Sequence, residues 1–143
     1  MHITESDLFY NLDLNVMSDI ADICLEEQYP SGKILFKEGE DAKNLYILEE
    51  GITDLLIDED TFIYSITERS DIFGWSSLIE SGKYTATAVC KTDVKVLKIP
   101  TRSLHRIFDK NPEFGNVVFR RLAGIFNRRL TKTYRKFLSA LKK

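Results

Sequence analysis

The residues with the most chemical promise lie in DIFGWSSLIESGKYTATAVC, Asp71 to Cys90. Here Phe73 and Gly74 precede Trp75, Ser76, Ser77 and Leu78, and the pattern predicts a short helical turn over Ser76 to Ile79. Such a turn aims free backbone N–H groups, and the positive end of its dipole, at an anion. Ser76 and Ser77 can cap the turn or donate hydroxyls, and Thr85 on the returning segment can add another. This is chemistry for cradling a phosphate. Yet Lys83 is the only cation within the stretch.

Elsewhere the residue types exclude more than they suggest. A metal cage on a β-roll needs converging histidines and a carboxylate, and the chain has only His2 and His105. Cys24, Cys90 and His105 could each ligate a haem iron, but no pattern supports it, and no cofactor is expected. No nucleophile elbow or Walker loop appears, and ESGKYT lacks the upstream glycine of a phosphate loop. The chain is not expected to be an enzyme. Cys24 and Cys90 stand in apolar contexts and read as reduced core thiols. With an acidic N-terminus in place of a secretory signal, this points to a cytoplasmic protein.

The elements that would position the cassette follow from period changes along 143 residues, one domain by size. Helical spacing runs from about Leu8 to Gln28, through Leu12, Val16, Ile20, Ile23 and Leu25, and Pro30-Ser31-Gly32 ends it as a turn. Residues 1–30 are thus a helical segment. Residues 31–100 hold seven or eight short β-rich runs: KILFKEG, NLYILEEG, TDLLIDED, TFIYSITE, DIFG, YTATAVC and DVKVLKIP. Glycines and acidic turns such as DEDT punctuate them, which predicts an antiparallel sandwich or jelly roll. Phe36 and Tyr46 read as core positions. Residues 101–143 return to helical spacing: a short helix over TRSLHRIFDK, then a long one from about Pro112 to Lys142. Gly124 weakens that helix by about 1 kcal/mol against alanine.

The net charge of −2 hides a polarised molecule. Residues 1–115 hold 11 Lys/Arg against all 22 acids, leaving −11, whereas residues 116–143 hold 9 Lys/Arg and no acid. The tail needs its own explanation.

In this order the motifs resemble the cyclic-nucleotide-binding domain family, the sensor of catabolite-activator-type regulators and cyclic-nucleotide-dependent kinases. YPSGKILFKEGEDAKNLYILEEGITDLLI resembles the opening of that domain, and DIFGWSSLIESGKYTATAVCKTDVKVLKIP takes the place of its phosphate-binding cassette. Gly32, Gly39, Gly51 and Gly74 fall where the family turns. The resemblance implies a double-stranded β-helix (jelly-roll) fold with an N-terminal helix and a long C-terminal helix, and the function of a non-enzymatic, ligand-sensing regulatory module. It also implies a ligand site at Phe73, Gly74, Trp75, Ser76, Ser77, Leu78, Lys83, Tyr84, Thr85 and Ala86.

Two positions depart from the family. Where the family has a glutamate for the ribose hydroxyl, directly after the Phe-Gly pair, stands Trp75; where it has an arginine for the cyclic phosphate stands Tyr84. Losing a charge-assisted bond of about 1.5–3 kcal/mol weakens binding by one to two orders of magnitude. Lys83 could substitute only if a bulge or loop at Ser81-Gly82 re-aimed it. Three outcomes stand: Trp75 and Tyr84 pack on each other and close an empty pocket, they line a site for a different small ligand, or a residual cyclic-nucleotide site survives.

For the tail the resemblance implies a helix that pairs with its copy in a homodimer, through Val118, Leu122, Phe126, Leu130 and Phe137. The basic face also admits nucleic-acid contact, a membrane surface or an unknown protein partner. Without a recognition helix after it, this helix is not expected to read DNA sequence.

Overall fold

The computed structural model describes residues 3–79 and 82–142. After a 3-10 turn at Ile3–Glu5, helix α1 (Leu14–Ile23) starts at Asp13. The Asp13 carboxylate accepts the N–H groups of Asn15 and Val16, satisfying two donors that the first turn leaves unpaired. Eight strands follow: β1 (Leu25–Tyr29), β2 (Ile34–Phe36), β3 (Asn44–Glu50), β4 (Thr53–Ile57), β5 (Thr61–Ile66), β6 (Ile72–Phe73), β7 (Thr87–Cys90) and β8 (Val94–Pro100). Helices α2 (Thr101–Lys110) and α3 (Pro112–Leu141) complete the chain. The jelly-roll expectation holds, and the second and third helices begin at the residues their spacing indicated.

The strands form two antiparallel sheets of four, ordered β1-β8-β3-β6 and β2-β7-β4-β5. Alternation along a strand sends successive side chains to opposite faces, and here both faces of the first sheet are covered. Leu45 and Ile47 of β3, Leu97 and Ile99 of β8, and Ile72 of β6 meet the helices. Tyr46, Leu48, Val96 and Phe73 meet the second sheet, where Phe36, Leu55, Ile66 and Ala88 answer them. That is why Leu45 to Leu48 is apolar without a break: it serves two cores at once.

One element corrects the expectation. Helical spacing carries on through Leu25, but the helix ends at Ile23, and Leu25–Tyr29 is a strand paired with β8 from Leu25↔Lys98 to Tyr29↔Val94. The residues LEEQY favour helix locally, and the edge of β8 overrides that weak preference.

The β3–β4 connection shows where backbone geometry demands a residue type. Gly51 has φ +95°, and a Cβ built on it would lie 2.2 Å from the Asp93 carbonyl oxygen. Both the left-handed backbone and the contact oppose a side chain. Gly51→Ala should therefore lower the unfolding free energy by about 2–4 kcal/mol in urea denaturation. A loss under about 0.5 kcal/mol would mean the turn relaxes freely.

Candidate functional site

The cassette begins where β6 ends. Gly74, at φ +74°, turns the chain into a 3-10 turn over Trp75–Leu78. A Cβ there would sit 3.1 Å from both the Asn44 carbonyl oxygen and the Tyr46 ring, so glycine lets the turn lie directly on β3. The turn then spends its own polar groups. Ser77 donates its N–H (3.2 Å) and its hydroxyl (2.8 Å) to the Gly74 carbonyl, and Ile79 N–H bonds the Ser76 carbonyl. Ser76, Ser77 and Leu78 are all buried.

The returning segment is held from the other side. Tyr84 N–H donates to the Glu40 carbonyl at 3.0 Å, and the Tyr84 carbonyl accepts from Gly39 N–H at 2.8 Å. Its ring turns inward, only 5% exposed, and stacks on Phe36 with centroids 3.8 Å apart. Its hydroxyl donates to the Asn44 carbonyl at 2.8 Å and accepts from Asn44 N–H at 3.2 Å. Burial raises the pKa of this phenol above its ordinary value, the bonds to backbone groups pulling the other way. Tyr84, expected from the sequence to stand where a cation would meet the phosphate, is thus a buried ring packed inside the cassette. What is left between Phe36, Leu55, Trp75, Tyr84, Thr85 and Ala86 is a void of about 30 Å³. That is room for a water, against about 300 Å³ or more for a typical small-molecule site.

Lys83 does not enter the cassette. Its ammonium pairs with Asp41 at 2.5 Å on the exposed outside, beside an antiparallel bridge between the two residues. The Lys83 ammonium keeps the Asp41 carboxyl below its usual pKa, through the hydrogen bond first and charge second. Ser81, half of the loop invoked to re-aim Lys83, lies outside the described residues, as do His2 and Glu80.

Trp75 and Tyr84 both edge the residual void, but each finds a different aromatic partner. Tyr84 has Phe36; Trp75 packs edge-on against Phe126 of α3 at 5.0 Å. Over the indole, 4.4 Å from its centroid, lies the Arg129 guanidinium, which also donates to the Ile72 carbonyl and faces Tyr64 at 5.5 Å. Burial lowers the pKa of Arg129 while the Asp71 carboxylate counteracts it. The cassette therefore touches α3 through a cation–aromatic stack. Arg129 had no signal in the sequence, because in a run of nine cations it looks like any other.

The residues expected to pair two copies divide along α3. Val118 (1% exposed) and Leu122 (4%) belong to the chain's own core with Leu8, Leu12 and Leu104, so they cannot meet a second copy. Phe126 is half-buried on Trp75. Leu130, Tyr134, Phe137, Leu138 and Leu141 are exposed. A second arginine, Arg121, fastens the proximal half by donating to the Leu8 and Tyr10 carbonyls and lying 3.7 Å over the Tyr10 ring.

Among the described residues no group of three or more His, Cys, Asp or Glu side chains could hold a metal ion, and no helix is long and apolar enough to cross a membrane. Both cysteines are free thiols. Cys24 donates to the Ile20 carbonyl, and burial pushes its pKa to about 12, which leaves little thiolate for chemistry.

The fold is a two-sheet jelly roll with flanking helices, and comparison with known proteins gives the family. The sequence profile of the cyclic nucleotide-binding domain matches residues 26–111, and the chain belongs to that family. It is 31% identical over 93 residues to a cAMP-dependent protein kinase regulatory subunit of Pyricularia oryzae, covering 63% of this chain but 23% of that protein. The chain thus spans about a quarter of that relative's length. A Geobacter metallireducens protein named for cyclic nucleotide binding superposes with a TM-score of 0.76 at 32% identity, over 84% of this chain and 89% of that one. The N-terminal domain of a transcriptional regulator from Streptomyces coelicolor gives 0.70 at 26% identity, over 96% and 95%.

Proposed function

We propose that this chain is a non-enzymatic, cytoplasmic regulatory module of the cyclic nucleotide-binding type. Its cassette has exchanged ligand capture for internal packing, and it acts by pairing through the distal half of α3. Tyr84 carries the reading. A ring in van der Waals contact with Phe36, doubly bonded to the Asn44 backbone, occupies the place where the family puts its phosphate-binding arginine. Trp75, in the glutamate's place, supports it, since an indole cannot accept a bond from a ribose hydroxyl.

The spacing on α3 supports the pairing. Leu130, Tyr134, Phe137 and Leu141 are four, three and four residues apart, the alternation of a coiled-coil seam, and Lys132 and Arg135 fall on the far face. A second reading, a cyclic nucleotide retained in an altered pose, is favoured by the family itself and by the name of the Geobacter metallireducens relative.

Trp75 is the only tryptophan and borders the void, so its emission distinguishes the two readings. Titration with cyclic AMP and cyclic GMP to about 1 mM should give no saturable change, because a site without charged contacts falls at or beyond that affinity. Saturation in the micromolar range would establish the second reading.

A further inference from the structure

The distal end of α3 leaves the body with its charges and its apolar side chains sorted onto different faces. Every residue from 131 to 142 is exposed. Among them Tyr134, Phe137, Leu138 and Leu141 each keep more than half of their surface in solvent. At about 100° of turn per residue these four share one arc of about 100°. Arg128, Arg135 and Lys142, seven residues apart, run in a row along one side of that arc. Lys132 and Lys136 lie behind it, the first within reach of the Asp71 charge and the second 5.0 Å from the Tyr64 centroid. Among the described residues Arg128, Arg135 and Lys142 form no ion pair with a carboxylate, and no acid follows Glu113 in the chain. Pairing with a second copy would cover the apolar stripe yet leave these cations unanswered, whereas paired helices ordinarily interleave Glu and Lys beside the seam. An apolar arc edged only by cations is complementary to negative charge laid over an apolar interior. Among the described residues no helix is long and apolar enough to cross such a layer, so α3 can only lie along it.

We infer that the distal half of α3 docks on an anionic membrane surface, with Tyr134, Phe137, Leu138 and Leu141 at the acyl boundary and Arg128, Arg135 and Lys142 on the lipid phosphates. The long stems of the three cations let their charged ends stay at headgroup level while the stripe beside them dips below it. The proximal half stays on the body, held by Val118 and Leu122 in the core and by Arg121 on the Leu8 and Tyr10 carbonyls. This goes beyond the pairing proposed above and uses the same stripe: a second copy covers it in water, and a bilayer takes that copy's place.

Co-sedimentation of the full chain with vesicles tests this, using phosphatidylcholine alone and phosphatidylcholine with phosphatidylglycerol in equal parts. Binding to the mixed vesicles should exceed binding to phosphatidylcholine at least about tenfold and should weaken as salt is raised. Arg128→Gln/Arg135→Gln/Lys142→Gln, at exposed positions, should weaken it about a hundredfold, at roughly fivefold per charge, with the unfolding midpoint unchanged. Tyr134→Trp should emit at shorter wavelength on mixed vesicles, against the baseline of Trp75 in the unsubstituted chain. Equal binding to the two kinds of vesicle would overturn the inference, as would full binding by the triple variant. Mixed-vesicle binding without a shift from Tyr134→Trp would show adsorption by charge alone and would overturn it too. Double-stranded DNA bound as tightly as the mixed vesicles would assign the cations to a nucleic acid instead. Sedimentation without vesicles reports the pairing separately. A dimer that ignores mixed vesicles ends this inference and keeps the pairing, and a monomer that binds them does the reverse.

Discussion

Tyr84→Ala should lower the unfolding free energy by about 3–5 kcal/mol, the range for deleting a buried aromatic ring. Two losses add. The ring leaves a cavity against Phe36, Gly74 and Ala86 in place of a 30 Å³ void. The hydroxyl's removal strips the Asn44 N–H and carbonyl of a partner each, at the edge where β3 faces Pro100. Tyr84→Phe separates the two terms: it keeps the stack and should cost only about 1–2 kcal/mol. Against a typical total of about 5–15 kcal/mol, the alanine variant should be near the limit of folding. Urea unfolding followed by Trp75 emission and circular dichroism measures all three proteins. A loss below about 1 kcal/mol for Tyr84→Ala would show a mobile side chain and would reopen the cassette.

The second large effect divides α3 into two halves with different work. Leu122→Glu places a carboxylate in the apolar core that holds Leu8, Leu12 and Leu104. The buried charge and the lost packing together should exceed about 4 kcal/mol, and the chain should fail to fold. Phe137→Glu, at a side chain 65% exposed, should leave stability within about 0.5 kcal/mol. If the distal stripe pairs two copies, the same substitution should convert a dimer to a monomer in sedimentation equilibrium. A wild type that sediments as a monomer at high micromolar concentration would end the pairing proposal. Stability lost in Phe137→Glu would mean that this stripe packs within one chain.

The same division explains what could be read in the sequence of the long helix. Its length, start and apolar recurrence were legible from Pro112 onward, because helical period is a local property. Which apolar positions serve the core and which stay free was not, since Val118 and Leu130 look alike until the body beneath Val118 is in place. The β-runs were legible from β2 to β8, their alternation and glycine turns being local too. β1 was not, because only its partner β8 makes LEEQY a strand.

At the cassette the residue types pointed to two missing charges. Whether Trp75 and Tyr84 fill the space depends on partners far along the chain. Tyr84 is turned inward by Phe36 and Asn44, and Trp75 is drawn toward α3 by Phe126 and Arg129. The idea that the two rings pack on each other rested on their expected places at the mouth of the cassette, and each has a different partner. Arg129 is a further product of that distance: it earns its contacts with Ile72 and Trp75 only once α3 crosses the end of the first sheet.

The central claim is that Tyr84 and Trp75 close the cassette to a cyclic phosphate, and calorimetric titration of cyclic AMP tests it most directly, with the wild type run beside Trp75→Glu/Tyr84→Arg. The account predicts no heat of saturable binding for the wild type up to about 1 mM, and a gain of about tenfold or more in affinity when the glutamate and arginine are put in. Micromolar one-to-one binding by the wild type, undiminished or weakened by the double substitution, would contradict it.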